Sequence, residues 1–582
     1  MSRLRDTVAG LCASLLRSFL RLFLYGTTPM LFIAPIALSE NTTLYDLIID
    51  HGSIVDGLGN PALAADLGIK NGRITTIGDL SKASSPRRIN ARGLVVAPGF
   101  IDVHSHIDRA FYQPQAAASE GYLRQGVTLS VIGGDGYLAL EDLRQFRAYA
   151  EQKLIGVNFM FLAGHNAVRR SVMGMEQRAP NAAELAAMKS QIRNAMELGA
   201  TGLSSGLMYL PGNYASSREM TELARVVEPF GGVYDSHVRD PVNDLVASHR
   251  ECLDTARAAG VAAHPAHIKA VGSKNFGKGP VLVALLQSRI DSGEDITTDL
   301  YPYDGASTRP VWELLLPGDD ATGVELRQRM TLLKLSGHKG SPAEKKLVKD
   351  LRSYWATFRA DDSTLANAQR YNEKPPAGQY SWIATVGYGS LRIVVSDQKG
   401  YEGRIVRDLA EELGDHPFEL LRRILVSEGD TAMVTLGAIQ EEDLRILMKQ
   451  PWAMIASDGE ELNPSHPRGR GTFARVLGRY VREWGVLSLE EAVHKMSGLP
   501  ASYLRLTDRG VLREGAIADI TIFDPRTVVD EATWSDPGKH ARGVHHVLLG
   551  GEFALRDGVL NSDRHGQFVP FRGQGLEPSA MP

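Results

Sequence analysis

From Tyr45 to Val96, apolar and polar residues alternate over short runs: "YDLIIDHGSIVDGLGN", "ADLGIKNGRITTIGDL", then "GLVVAPGF". A period of two predicts strands with one buried face, and the Asp56-Gly57 and Asn71-Gly72 dipeptides mark tight turns between them. The pattern returns near the C-terminus in "GVLREGAIADITIFDP" and "VHHVLLGGEFALRDGVL". Segments 40–96 and 510–570 are therefore expected to pair into one small β-sandwich flanking a central domain.

Between 97 and 509 the pattern changes. Apolar runs of strand length alternate with helical segments such as Ala182–Glu197 and Ser217–Val227. Strands are predicted at Gly99–His104, Thr128–Gly133, Val157–Ala163, Thr201–Ser204, Gly232–Ser236, Ala262–His267, Asp295–Asp299 and Ala453–Ser457. Eight strand–helix units fit an α/β fold of the (β/α)8 TIM-like barrel type. Nearly every predicted strand ends in polar residues: His104 and His106, Asp135, His165, Ser205, His237, His267, Asp299 and Asp458. A barrel gathers all such ends on one face, where barrel enzymes keep their chemistry.

The connection from about 304 to 450 is too long for a plain loop. Its charge-rich helical stretches predict a structured insertion, read as a lid over the site.

Residues 1–39 carry Arg3, Arg5, Arg17 and Arg21 before a mostly apolar run, Leu22 to Leu38, and a small-x-small site at Ala37-Leu38-Ser39. This is the pattern of a cleaved signal peptide and implies export, to the periplasm. The competing reading is an uncleaved membrane anchor, though the apolar run is short for a span. The composition is that of a globular protein, with 43% hydrophobic and 23% charged residues. A formal net charge of -4 gives no electrostatic argument for a nucleic-acid partner. The two cysteines, Cys12 and Cys252, exclude a cysteine-built structural zinc site.

The chemistry begins at "APGFIDVHSHID". In an extended strand residues i and i+2 face the same side, so His104 and His106 can reach one point, as half of a transition-metal site. His237 in "GGVYDSHVRD", His267 in "AAHPAHIKAVG" and Asp458 in "AMIASDGEE" stand at the ends of the fifth, sixth and eighth predicted strands. Each alone is weak, but four histidines and an aspartate at the ends of strands one, five, six and eight are far more specific.

These motifs, with "GATGLSSGLMYLPGNYASSRE", "TTDLYPYDGAST" and "SDGEELNPSHPRGRGTFARVLGRY", resemble the amidohydrolase superfamily and, within it, the N-acyl-D-amino-acid deacylase (D-aminoacylase) family. The resemblance covers roughly 45–565 and is poorest near 323–375. It implies hydrolysis of the amide bond of N-acyl-D-amino acids, small-molecule substrates, with one or two Zn²⁺ ions as cofactor. His237 and His267 would bind the principal zinc, His104 and His106 the more weakly held position, and Asp458 would be the general base. Tyr209, Lys269, Ser307 and Arg468 match positions that hold the substrate carboxylate or shape its pocket. Where well-known members carry a metal-bridging cysteine in a Gly-Asn-Cys-Gly setting, this chain has Gly134-Asp135-Gly136. Asp135 would then offer oxygen where the family offers thiolate, which bears on metal choice and number.

Two rivals stand beside this reading. One is a cyclic-amide hydrolase of the dihydroorotase or hydantoinase type. The other is a non-catalytic binding protein that has lost its metal. Neither acyl chain length, side-chain preference nor oligomeric state is encoded in any motif of the chain.

Overall fold

All eight apolar runs of the middle segment form strands: β1 (Phe100–Asp102), β2 (Val127–Ile132), β3 (Asn158–Gly164), β4 (Gly202–Gly206), β5 (Val233–His237), β6 (Ala262–Pro265), β7 (Thr298–Leu300) and β8 (Ala453–Ile455). The computed structural model describes residues 44–573 apart from 114–115, 337–340, 359–362, 376–380, 438 and 463. The expected export or anchor segment, 1–39, lies outside the described residues. Among the described residues no helix is long and apolar enough to cross a membrane.

Strands β1 to β6 form one parallel sheet in sequential order, and β7 pairs with β8 in parallel. A bridge between Ala263 and Ile296 joins the β6 edge to the segment leading into β7. Every residue of β2 and β3 is buried. That is what a parallel sheet covered on both faces demands, and it explains why these strands read as continuous apolar runs rather than alternating ones. The helices between them match the sequence closely: Ala182–Glu197 as predicted, and Ser217–Ala224.

The strand ends differ from expectation at one informative place. β1 stops at Asp102, two residues short of His104. The buried Asp102 carboxylate accepts from Ser457 N at 2.9 Å and Ser457 Oγ at 2.5 Å, so it replaces ladder bonds with side-chain bonds across to the β8 end. Beyond it, Asp458 N donates to His104 O (2.8 Å) and His106 N to Gly459 O (2.7 Å). His104 and His106 thus belong to a loop laced to the β8 loop. Strand alternation is not what aligns them.

The two ends of the chain meet in a single nine-stranded sheet. Its seam is Val95–Pro98 running antiparallel to Ile520–Phe523, with Leu47–Ile54 on the other side of Val95–Pro98. Gly99 then turns the chain straight into β1. A Cβ there would lie 2.2 Å from Thr128 Oγ1, so only glycine allows so close an approach.

The long connection is structured and has its own apolar core, including Leu351, Trp355, Phe418 and Leu425. Besides helices such as Pro342–Ala356 and Pro417–Glu428 it holds a small antiparallel sheet of Thr308–Pro310, Met433–Leu436 and Leu391–Val395. That sheet was not legible in the helical, charge-rich pattern of the insertion.

Candidate metal centre

Four imidazoles converge on one carboxylate. Asp135 Oδ1 lies 3.3 Å from His237 Nδ1, 3.5 Å from His267 Nε2 and 3.8 Å from His104 Nε2, and Asp135 Oδ2 lies 3.6 Å from His106 Nε2. Asp458 stands beside them, with Oδ1 3.2 Å from His106 Nε2 and 3.8 Å from His104 Nε2. The sequence-derived set His104, His106, Asp135, His237, His267 and Asp458 is therefore one buried cluster.

The backbone is bent to make it. Asp135, His267 and Asp458 all have positive φ, at 58°, 38° and 46°. Non-glycine residues in that region carry local strain, which persists where the surroundings fix it and concentrates at functional sites. Gly134 lets the loop close on the imidazoles, since a Cβ there would sit 2.9 Å from the His104 ring.

The donor set fits a divalent cation. Among the described residues, His104 Nε2, His237 Nδ1 and Asp135 Oδ1 are buried without a hydrogen-bond partner. Buried polar atoms are rarely left so, because desolvation without compensation is costly. Imidazole nitrogen and carboxylate oxygen are ordinary zinc donors, and two overlapping triads, His104–His106–Asp458 and His104–Asp135–His267, have ligand atoms within 4.8 Å of one another.

The electrostatics divide the cluster. Burial opposes ionisation of Asp135, yet the neighbouring His237 and the other imidazoles hold its carboxyl well below the usual range. For Asp458 burial is likewise overcome, chiefly by the Arg468 guanidinium. Burial also works against a charge on His106, but the facing carboxylates of Asp135 and Asp458 raise it to about 10. Burial, helped by Lys269 and His237, pushes His267 down to about 3.

Three of the four residues matched to a substrate pocket, Lys269, Arg468 and Tyr209, contact the cluster. Lys269 Nζ contacts His267 Nδ1 at 2.8 Å and donates to His267 O at 2.7 Å. Arg468 Nη1 lies 2.7 Å from Asp458 Oδ2 and donates to Ala306 O at 3.1 Å, beside Ser307. Both cations lie over the Tyr301 ring, at 5.4 and 4.7 Å from its centroid. Tyr209 stacks on the other flank, 4.7 Å from the His237 ring. Ser307 makes its contacts on the insertion sheet instead, its carbonyl accepting from Leu436 N and Thr435 Oγ1.

Other neighbours carried no sequence signal. Tyr137 lies 5.7 Å from the Tyr209 ring, and His249, on the helix Leu245–Ala259, lines a small cavity with His237, His267 and Lys269. Beneath the cluster His264 Nε2 meets Asp299 Oδ2 at 2.7 Å, and Asp299 Oδ1 accepts from His267 N at 3.0 Å. The repeated strand-end pattern marked Asp299 as polar but not as a support for the His267 backbone. His165, also a strand-end residue, is turned away to Glu219 at 3.2 Å and takes no part.

Comparison with known proteins finds likenesses over most of the chain. The amidohydrolase family model matches residues 87–230 and 386–554. An N-acyl-D-glutamate deacylase of Alcaligenes xylosoxydans xylosoxydans is 32% identical over 87% of this chain and 93% of its own. A D-aminoacylase of the same organism is 30% identical over 90% of this chain and 97% of its own. A solved N-acyl-D-glutamate deacylase of Bordetella bronchiseptica, complexed with zinc and a phosphonate mimic of the tetrahedral intermediate, superposes with TM-score 0.69 at 29% identity, covering 91% of this chain and 100% of that one. A D-hydantoinase structure matches at TM-score 0.51 and 16% identity, which is a likeness of fold alone.

Proposed function

The chain belongs to the amidohydrolase family, and we propose that it hydrolyses the amide bond of N-acyl-D-amino acids, releasing a carboxylate and a D-amino acid. The observation that carries this is the meeting of four imidazole nitrogens on Asp135, with Asp458 at 3.2 Å from one of them. The D configuration is drawn from the relatives, whose names specify D-amino acids.

His237 and His267 would hold the principal zinc, His104 and His106 would hold a more weakly bound ion, and Asp135 would offer carboxylate oxygen beside all four imidazoles. Bound there, zinc would supply a Lewis acid that polarises the amide carbonyl and acidifies water. Asp458 then has the acid–base role: held ionised by Arg468, it accepts the proton of the attacking water and delivers it to the departing amine nitrogen. Arg468 and Lys269, both cationic and both over Tyr301, are placed to orient the substrate's α-carboxylate against the scissile bond. Tyr209 and Ser307 shape the pocket walls.

We further read β1 to β8 as a closed (β/α)8 barrel spanning 97–509 with an insertion at 304–450. The hydrogen bonds between the β1 and β8 loops support closure. The nine-stranded sheet from both chain ends we read as the small β-sandwich domain, supported by its own apolar core around Leu47, Leu67, Ile520 and Leu548. The basic, apolar N-terminal segment supports export to the periplasm, an uncleaved membrane anchor being the alternative.

A screen of N-acetyl and longer N-acyl amino acids of both configurations, together with hydantoins, tests the function. Turnover confined to the N-acyl-D series is expected. Turnover of hydantoins with none of N-acyl-D-amino acids would transfer the assignment to the cyclic-amide hydrolases.

A further inference from the structure

His466 is a buried histidine to which the hydrolytic reading gives no task. Both of its ring nitrogens are engaged. Nδ1 accepts from Arg468 N at 3.1 Å, and Nε2 donates to Gly305 O at 2.9 Å. A backbone N–H can only donate and a carbonyl can only accept, so the ring is neutral with its proton on Nε2. Burial and the Arg468 charge favour that form, holding the imidazole well below its usual range.

The two bonds join the two stretches of chain that place the Arg468 guanidinium. Arg468 N opens the helix Arg468–Arg475, where backbone N–H groups have no partner within the helix, and the His466 ring satisfies it. Gly305 directly precedes Ala306, whose carbonyl accepts from Arg468 Nη1 at 3.1 Å. One ring therefore sets both the root of the Arg468 side chain and the carbonyl that receives its tip. From there the guanidinium lies over Tyr301, 4.7 Å from the centroid, and meets Asp458 Oδ2 at 2.7 Å.

The imidazole is itself boxed in. The Trp534 ring stands 4.5 Å from it and Tyr303 5.4 Å, both edge to face. Trp534 comes from the connection between Ile520–Phe523 and Val544–Leu549, two strands of the nine-stranded sheet. Gly305 leaves it room, since a Cβ there would lie 2.3 Å from the Trp534 ring. A side chain from the sheet built by the chain ends thus presses His466 into place behind Arg468.

Resting on the deacylase reading, we propose that His466 is a positioning residue for Arg468. In its Nε2–H form it fixes the guanidinium against the base Asp458 and toward the substrate carboxylate, and Trp534 locks the ring.

The experiment follows kcat and KM against pH. Its substrate is whichever of N-acetyl-D-leucine, N-acetyl-D-glutamate and N-acetyl-D-aspartate the wild type turns over fastest. The variants are His466→Ala, His466→Asn, Trp534→Leu, Arg468→Met and the double variant His466→Ala/Arg468→Met, each checked for folding by near-UV circular dichroism. His466→Ala should raise KM about tenfold, in line with the loss of one hydrogen bond. It should also move the acid limb of the pH–kcat profile to higher pH, because a loosened guanidinium steadies the Asp458 carboxylate less. His466→Asn should recover much of both, since an Asn oxygen accepts from an N–H two residues on. The double variant should be no worse than Arg468→Met. Trp534→Leu should repeat the effects of His466→Ala in weaker form, which keeps the test decisive if His466→Ala folds poorly. An unmoved KM and acid limb, or effects that add in full to those of Arg468→Met, would make His466 a support of the fold alone and overturn the proposal. A wild type that hydrolyses none of the three substrates overturns the deacylase reading, and this role with it.

Discussion

Arg468 Nη1 lies 2.7 Å from Asp458 Oδ2, while Asp458 Oδ1 faces His106 Nε2 at 3.2 Å. One carboxylate is thus shared between a permanent cation and the imidazole cluster. The pairing explains how a buried Asp stays ionised, since the guanidinium supplies the largest favourable influence on it. Under the proposed mechanism Arg468 has two tasks, holding the base and meeting the substrate.

Removing Arg468 should therefore do more than weaken binding. In Arg468→Met the Asp458 carboxyl should rise from its lowered position, so the fraction in the basic form is lost at a higher pH. The acid limb of the pH–kcat profile should move to higher pH, alongside a rise in KM. A variant with raised KM and an unshifted acid limb would show that Arg468 serves the substrate only.

Asp458→Asn keeps the shape and removes the base. Turnover should fall about 10²–10⁴-fold, the usual worth of a positioned general base. Metal content by elemental analysis should stay near wild type, because the four imidazoles and Asp135 remain. Loss of metal in step with activity would instead make Asp458 chiefly a ligand.

Asp135 is the residue on which all four histidines converge. Replacing it with Asn preserves size but withdraws the negative charge, and metal retention against a chelator should weaken at least tenfold. Asp135→Cys restores a thiolate donor and should retain zinc better than Asn. Equal retention in wild type and both variants would contradict a bridging role.

His249, beside His237, His267 and Lys269, gives a stability prediction. Burial pushes it down to about 4, and its Nδ1 is tied to Leu245 O at 2.7 Å. The unfolded chain binds this proton below about 6.5, whereas the folded chain takes it up only near 4. Between those values the unfolded state holds more protons, so stability falls as pH drops, by up to about 1.4 kcal/mol per pH unit from this group. Urea unfolding of His249→Gln at several pH values should show a shallower slope in that window. A slope identical to wild type would show that His249 protonates freely in the folded protein.

Much of this was legible in the sequence, and the reasons are physical. Strands such as β2 and β3 could be read because burial on both faces favours apolar residues at most of their positions. The cluster of His104, His106, Asp135, His237, His267 and Asp458 could be read because each member stands at or just beyond the end of an apolar run. His104 and His106 do converge, but through a loop stitched to Gly459 and Asp458 rather than by alternation within β1. Tyr137 and His249 were not legible: each is an ordinary residue of its own segment, brought beside the cluster by contacts distant in sequence. The small sheet of the insertion was hidden for a similar reason, since strands of three to five residues carry too little period to stand out against charged helices.

The most direct test of the central claim is a zinc titration of chelator-stripped protein, with metal content and hydrolysis of an N-acyl-D-amino acid followed together, beside Asp458→Ala. The account predicts negligible turnover after stripping and recovery in proportion to zinc bound. It also predicts an Asp458→Ala protein that binds zinc yet stays inactive. Undiminished turnover in the stripped protein or in Asp458→Ala, or a wild type that takes up no metal, would contradict it.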